Sequence, residues 1–148
     1  RVSPWQMAQL IAIIANNGCG WQTEAPWQEQ LVSAVESQGE RREQRIDRQY
    51  VQIISSETAQ ILQKDLASSI DLPDGRQLTY AGKTGTPEIP ANNGGKHYLA
   101  WYVGYYPAQQ PQYAVAIVIE DIIGVPAADL SGGKYALPLF EDLICHLP

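Results

Sequence analysis

Two runs near the C-terminal end constrain the chain most. The first is HYLAWYVGYY, residues 97–106, and the second is YAVAIVIE, residues 113–120. Only PAQQPQ, residues 107–112, separates them. A link that short between two strand-like runs makes an antiparallel hairpin. The first run alternates, with Leu99, Trp101, Val103 and Tyr105 on one face and Tyr98, Ala100 and Tyr102 on the other. The second is apolar on both faces. A strand apolar on both faces has to be covered on both, so helices must flank this sheet front and back.

The rest of the chain supplies the cover. SPWQMAQLIAIIANNG, residues 3–18, reads as a helix with both ends marked. Ser3 can cap it, Pro4 suits the first helical position, Gln6 completes a capping box, and Asn17-Gly18 ends it. Met7, Leu10, Ile11, Ile13 and Ile14 leave little polar face. The helix is therefore expected to be largely buried, with neighbours on more than one side. Residues 55–70 read as a second helix, capped by Ser55 or Ser56, with Ala59, Leu62, Leu66 and Ile70 at helical spacing. LPDG, residues 72–75, is turn chemistry. A closing helix over residues 134–147 carries Ala136, Leu139 or Phe140, Leu143 and Leu147, with Pro138 tolerable in its first turn. WQEQLVSAV and YVQII have short strand character, and LTYAGKTGT, residues 78–86, is a further strand. PEIPANNGGK, residues 87–96, is a long polar loop expected to be mobile and to lie near a functional edge. The expected fold is α+β: an antiparallel sheet of about three main strands flanked by helices, one of them C-terminal.

Composition removes several function classes. The chain has 148 residues, which suits one domain or a piece of a larger one. Its net charge of -6 argues against a nucleic-acid surface. The basic run RREQRIDR is interrupted by Glu43 and Asp47 and reads as a solvated face. Cys19 and Cys145 have no metal-type spacing and make no disulfide scaffold; they read as buried or half-buried thiols, with a single bridge left open. No metal site and no cofactor motif is expected. No apolar run approaches the roughly 18 residues that span a bilayer, and no signal peptide precedes residue 1, which says little if the chain is a fragment.

AGKTGTPEIP, residues 81–90, raises the chemical question. Gly-Lys-Thr ends a phosphate-binding loop, but such a loop needs a Gly at position 77, where Gln77 stands. It must also open a helix, and Gly85, Pro87 and Pro90 forbid one here. On a strand the same residues do something else. Gly82 and Gly85 let a ligand approach the backbone. An open strand edge can pair with an extended peptide. Lys83 brings a positive charge, Thr84 and Thr86 bring hydroxyls that can bind a carboxylate, and the Thr86 N–H can donate to a developing oxyanion.

The wider pattern resembles the C-terminal part of the transpeptidase domain of penicillin-binding proteins. RVSPWQMAQLIAIIANNG looks like that family's Val-Ser/Thr-Pro helix with its Ala-Asn-Gly ending. AGKTGT looks like its Lys-Thr-Gly motif. LAWYVGYYP and YAVAIVIED look like the two strands that follow, and GGKYALPLFEDL looks like its closing helix. The likeness runs nearly end to end. It implies acyl transfer through a serine ester on the D-Ala-D-Ala end of a peptidoglycan stem peptide, with β-lactams acylating the same serine. It implies catalytic roles for Lys83 and Thr84, and substrate contacts from Lys83, Thr84, Gly85 and Thr86. It also implies an extracytoplasmic parent protein, anchored in the membrane through an N-terminal segment that this chain lacks.

Two family motifs are expected upstream of residue 1: the Ser-x-x-Lys that carries the nucleophile, and Ser-x-Asn. Residues 1–148 therefore read as the downstream part of such a domain, inactive alone, whose partner is the upstream part. Ser131-Gly132-Gly133-Lys134 has the Ser-x-x-Lys form but follows the Lys-Thr-Gly motif, and two glycines weaken a helix. It reads as a loop into the last helix. His97 and His146 read as surface or packing residues. The rival from another class is a penicillin-binding-like module that has lost catalysis and serves in assembly or sensing. Ser-x-x-Lys and Ser-x-Asn in the parent chain would favour the enzyme.

Overall fold

The computed structural model describes residues 2–23, 34–37, 40–43, 48–90, 96–120 and 125–147. The chain opens with α1 (Pro4–Ala15), whose capping box forms as its sequence requires. Ser3 Oγ accepts from the Gln6 N–H at 3.2 Å, and Gln6 Oε1 accepts from the Ser3 N–H at 2.8 Å. Asn17 and Gly18 end the helix with φ of 53° and 87°, the left-handed turn that commonly stops a helix. β1 (Cys19–Thr23) pairs antiparallel with β4 (Arg48–Gln52), and β2 (Ala34–Ser37) with β3 (Glu40–Glu43). Most of WQEQLVSAV lies outside the described residues, as does part of the basic run.

After α2 (Ser56–Leu66) come β5 (Ala67–Asp71), β6 (Gln77–Gly85), β7 (Glu88–Pro90), β8 (Lys96–Tyr98), β9 (Ala100–Tyr106) and β10 (Tyr113–Ile119). The main sheet has the order β10-β9-β6-β5, antiparallel throughout. A 3-10 turn (Ala127–Asp129) and a π-helical turn (Gly132–Ala136) lead into α3 (Leu137–Cys145). The fold is α+β, with the sheet covered on both faces. α1 and α2 cover one face, where Ile11, Ile14 and Ala15 pack on Ala81, Val103 and Tyr105. α3 and the π turn cover the other, where Ala136, Phe140 and Ile144 pack on Tyr80, Ala100, Tyr102 and Tyr106. The alternation expected along this run is found over residues 100–106.

Several local expectations need correction. The second helix stops at Leu66, not Ile70: Ala67 turns to φ -62°, ψ 137°, and Ile70 pairs with Leu78. The segment keeps helical spacing, but pairing with β6 satisfies its backbone, and this adds a fourth strand to the sheet. The run 97–106 is broken at Leu99, and its first part, β8, pairs with β7. The ends of the expected loop 87–96 are thus a short hairpin; residues 91–95 lie outside the described residues. α1 is less buried than its composition suggests, because Trp5 and Leu10 remain 43% and 50% exposed. The buried stripe of the last helix is Ala136, Phe140 and Ile144, while Leu139 and Leu143 face out. Both cysteines are free, and Cys145 is exposed rather than buried. Among the described residues, no helix is long and apolar enough to cross a membrane.

Candidate functional site

The candidate residues Lys83, Thr84, Gly85 and Thr86 occupy the end of β6 and the residue after it. β6 changes character along its length. Residues 77–81 pair with β5, and residues 81–85 pair with β9. β5 begins at Ala67, directly where α2 ends, and its first partner is Ala81. Among the described residues, no strand pairs with residues 82–85 on that side. The helical cover on the α1 face also runs out here. Ala81 is fully buried beneath it, whereas Lys83, the next residue on that face, is exposed.

The remaining two sides are closed. Along the β9 edge, Lys83 sits opposite Val103, Thr84 opposite Tyr102 and Gly85 opposite Trp101. On the α3 face, the Tyr102 ring lies over Gly82 and Gly104, which are themselves paired. A Cβ on Gly82 would fall 2.6 Å from the Tyr102 ring and 2.7 Å from the Val103 carbonyl oxygen. Glycine is required there by this close approach. Among the described residues, residues 82–85 are therefore open in one quadrant, between the free edge and the α1 face.

Within that quadrant, Lys83 Nζ donates to the Thr84 carbonyl oxygen at 3.0 Å. Thr84, opposite Tyr102, lies on the α3 face and is half-buried, and Thr86 is exposed. Thr86 Oγ1 accepts from the Gly132 N–H at 3.2 Å. The supporting layer is aromatic. Phe140 lies at ring-centroid distances of 5.4 Å from Tyr80 and 4.6 Å from Tyr102. Tyr80 Oη donates to Glu141 Oε1 at 2.5 Å. The Tyr102 hydroxyl is buried with no hydrogen-bond partner among the described residues, and burial pushes its ionisation well above the ordinary phenol range. Burial also raises Tyr80, helped by the neighbouring Glu141 carboxylate.

The other sequence candidates fall elsewhere. His97 Nε2 contacts the Glu120 carbonyl oxygen at 2.6 Å, and His146 Nδ1 the Asp142 carbonyl oxygen at 2.8 Å. Ser131 caps the π turn, its Oγ accepting from the Lys134 N–H at 3.3 Å. The Lys134 ammonium sits 5.1 Å from the centre of the Tyr135 ring. Sequence reasoning missed the parts that frame the strand end, namely the stop of β5, the Tyr102 ring and Gly132. For Gly132 a signal existed, since paired glycines mark close backbone approach, but its target lies far along the chain.

A model of the penicillin binding protein transpeptidase domain matches residues 1–144. The curated peptidoglycan D,D-transpeptidase PbpA of Mycolicibacterium smegmatis is 39% identical over 59 residues, which is 40% of this chain and 12% of that protein. The crystal structure of PBPA from Mycobacterium tuberculosis matches at a TM-score of 0.64 and 25% identity, over 95% of this chain and 31% of that one. Penicillin-binding protein A from M. tuberculosis, solved as its penicillin G acyl-enzyme complex, matches at a TM-score of 0.62 and 26% identity, over 97% of this chain and 31% of that one. The chain thus spans under a third of these solved relatives and about an eighth of the curated one.

Proposed function

The chain belongs to the penicillin binding protein transpeptidase family, and on that footing we propose that residues 1–148 are the downstream part of a peptidoglycan D,D-transpeptidase domain. In this reading the serine nucleophile and its activating lysine are carried by upstream sequence. The present chain supplies one wall of the site, made of Lys83, Thr84, Gly85 and Thr86. The observation that carries the reading is the change in β6 at Gly82, where pairing with β5 has ended and the α1-face cover runs out. A strand open on one edge and backed on the other is suited to take an extended peptide, which adds to it as a further strand.

The chemistry follows from what is exposed there. A stem peptide ending in D-Ala-D-Ala carries a free carboxylate, and so does a penicillin. The Lys83 ammonium favours that negative charge, the exposed Thr86 hydroxyl donates to it, and the half-buried Thr84 hydroxyl at the same strand end is assigned to the same carboxylate. The serine oxygen attacks the penultimate carbonyl carbon, or the β-lactam carbonyl carbon, and the carbonyl oxygen becomes an oxyanion. The Thr86 N–H is the candidate donor to that oxyanion, a device worth about 3 kcal/mol of barrier where it has been dissected. With a stem peptide, the C–N bond then breaks and the terminal D-Ala leaves. The amine of a second stem takes the acyl group and closes the cross-link. With a β-lactam the ring opens and the ester persists. Cross-links of this kind are closed in the wall outside the cytoplasm, so the full protein is assigned to the periplasm or cell surface, held there by an upstream anchor.

The test uses the full-length protein. A labelled penicillin should form a one-to-one adduct on an upstream serine, and a D-Ala-D-Ala stem mimic should lose its last D-Ala. Saturable penicillin binding without an adduct or D-Ala release would replace the enzyme by a binding module. No binding at all would end the reading.

A further inference from the structure

Ser131-Gly132-Gly133-Lys134 is left without a part in the chemistry above, yet it touches the strand end. Ser131 fixes the π turn by capping Lys134. This brings buried Gly132 against the β6 and β9 backbones. A Cβ on Gly132 would fall 2.6 Å from the Gly85 carbonyl oxygen and 2.9 Å from the Gly85 nitrogen, and would collide with the Trp101 carbonyl oxygen. Its neighbour Gly133 is exposed, with open space where a Cβ would be. One glycine of the pair is therefore demanded by contact and the other is not. The approach delivers the Gly132 N–H to Thr86 Oγ1 at 3.2 Å, across 46 residues of sequence.

We propose that Gly132 is a positioning residue that turns the Thr86 hydroxyl into an aimed donor for the substrate carboxylate. This rests on the reading of residues 83–86 as the substrate wall. A threonine hydroxyl has one proton and two lone pairs. The Gly132 amide occupies a lone pair and selects one side-chain rotamer of an otherwise exposed Thr86. With that lone pair taken, the hydroxyl proton is left to point away from the Gly132 amide, on an exposed side chain. Only glycine fits close enough to make this contact. An amide donating to a hydroxyl also polarises it, which strengthens the bond the hydroxyl gives to an anion.

The experiment measures second-order acylation of the full-length protein by benzylpenicillin and by its methyl ester, which lacks the carboxylate charge. Gly132→Ala should slow the acid about tenfold, within the range of a lost hydrogen bond to a charged group, and leave the ester within about twofold. Gly133→Ala should change neither rate. Thr86→Val should reproduce the acid-selective loss, and the double variant should lose nothing further, as expected when one residue acts through the other. Equal loss for acid and ester in Gly132→Ala, with Thr86→Val still selective, overturns the proposal and leaves the substrate wall standing. An unchanged acid-to-ester ratio in Thr86→Val overturns both. If Gly132→Ala does not fold, amide hydrogen exchange at Gly132 decides. It should quicken about tenfold in Thr86→Val, and unchanged exchange overturns the proposal.

Discussion

Lys83 stands between Gly82 and Thr84 on the exposed stretch of β6, where packing makes no demand for a long cationic side chain. In the full-length protein, Lys83→Ala should slow penicillin acylation on the order of 100-fold, the scale of losing one electrostatic stabiliser. Its unfolding free energy should stay within about 0.5 kcal/mol, as for an exposed substitution. Lys83→Arg should recover part of the rate, since charge returns but not shape. Near-normal acylation of a folded Lys83→Ala would remove Lys83 from the site. Tyr102 presents the opposite case, a buried hydroxyl that makes no bond among the described residues. Tyr102→Phe should keep the ring over Gly82 and Gly104 and raise stability by about 1 kcal/mol, the low end of the cost of such a group. The pH dependence has a definite sign. Burial raises the folded Tyr102 ionisation above the ordinary value near 10. Its contribution is present in full below that pH and is lost as pH rises and the unfolded phenol ionises. Thermal melts from pH 8 to 11 should therefore fall less steeply for Tyr102→Phe than for the parent; parallel curves would contradict this.

At the scale of elements, legibility followed how local the signal was. The start of α1 was readable because Ser3, Pro4 and Gln6 lie within one turn and act on one another. The faces of β9 were readable because side chains alternate whatever the strand pairs with. The α2–β5 boundary was not readable. Ile70 follows Leu66 at helical spacing, and only the waiting edge of β6 draws Ala67 and its successors into the sheet. Nor could the frame of the candidate site be read. Tyr102 over Gly82 and Gly132 against Gly85 are contacts between segments that no local pattern links. The aromatic layer behind β6 permits a direct check. Phe140 is fully buried and meets the Tyr80 and Tyr102 rings. Phe140→Ala should cost about 3–5 kcal/mol, as large-to-small core changes do. Chemical denaturation would read it, and a loss under 1 kcal/mol would mean that α3 does not hold the sheet. α3 carries no proposed substrate contact, so any effect on acylation should track the fraction folded.

The whole molecule is unevenly finished. The α3 face of the sheet is packed, but α1 leaves Trp5, Leu10 and the preceding Val2 at 43%, 50% and 60% exposure. Single exposed apolar residues are ordinary, whereas several on one helix and its lead-in favour association. The edge of β6 that has no partner strand among the described residues adds a second route to self-pairing. The isolated 148-residue chain should therefore associate as its concentration rises. Sedimentation that stays monomeric at high concentration would count against its being the downstream part of a larger domain. Mass spectrometry of the same sample should find no penicillin adduct, since the proposed nucleophile lies on other sequence. An adduct on Ser131 would reverse that assignment.

The contact between Gly132 and the end of β6 also sets an order in time. A ribosome releases the chain from its N-terminus, and Lys83, Thr84, Gly85 and Thr86 emerge well before the residue that braces them, 46 positions after Thr86. Until β9, β10 and the π turn have followed, nothing can hold the Thr86 hydroxyl from behind. The strand that would meet substrate is thus among the last parts of the chain to become competent, although it is not among the last to be made. A chain cut short just before Ser131 would still carry every residue of the proposed wall, yet it would leave Thr86 unbraced.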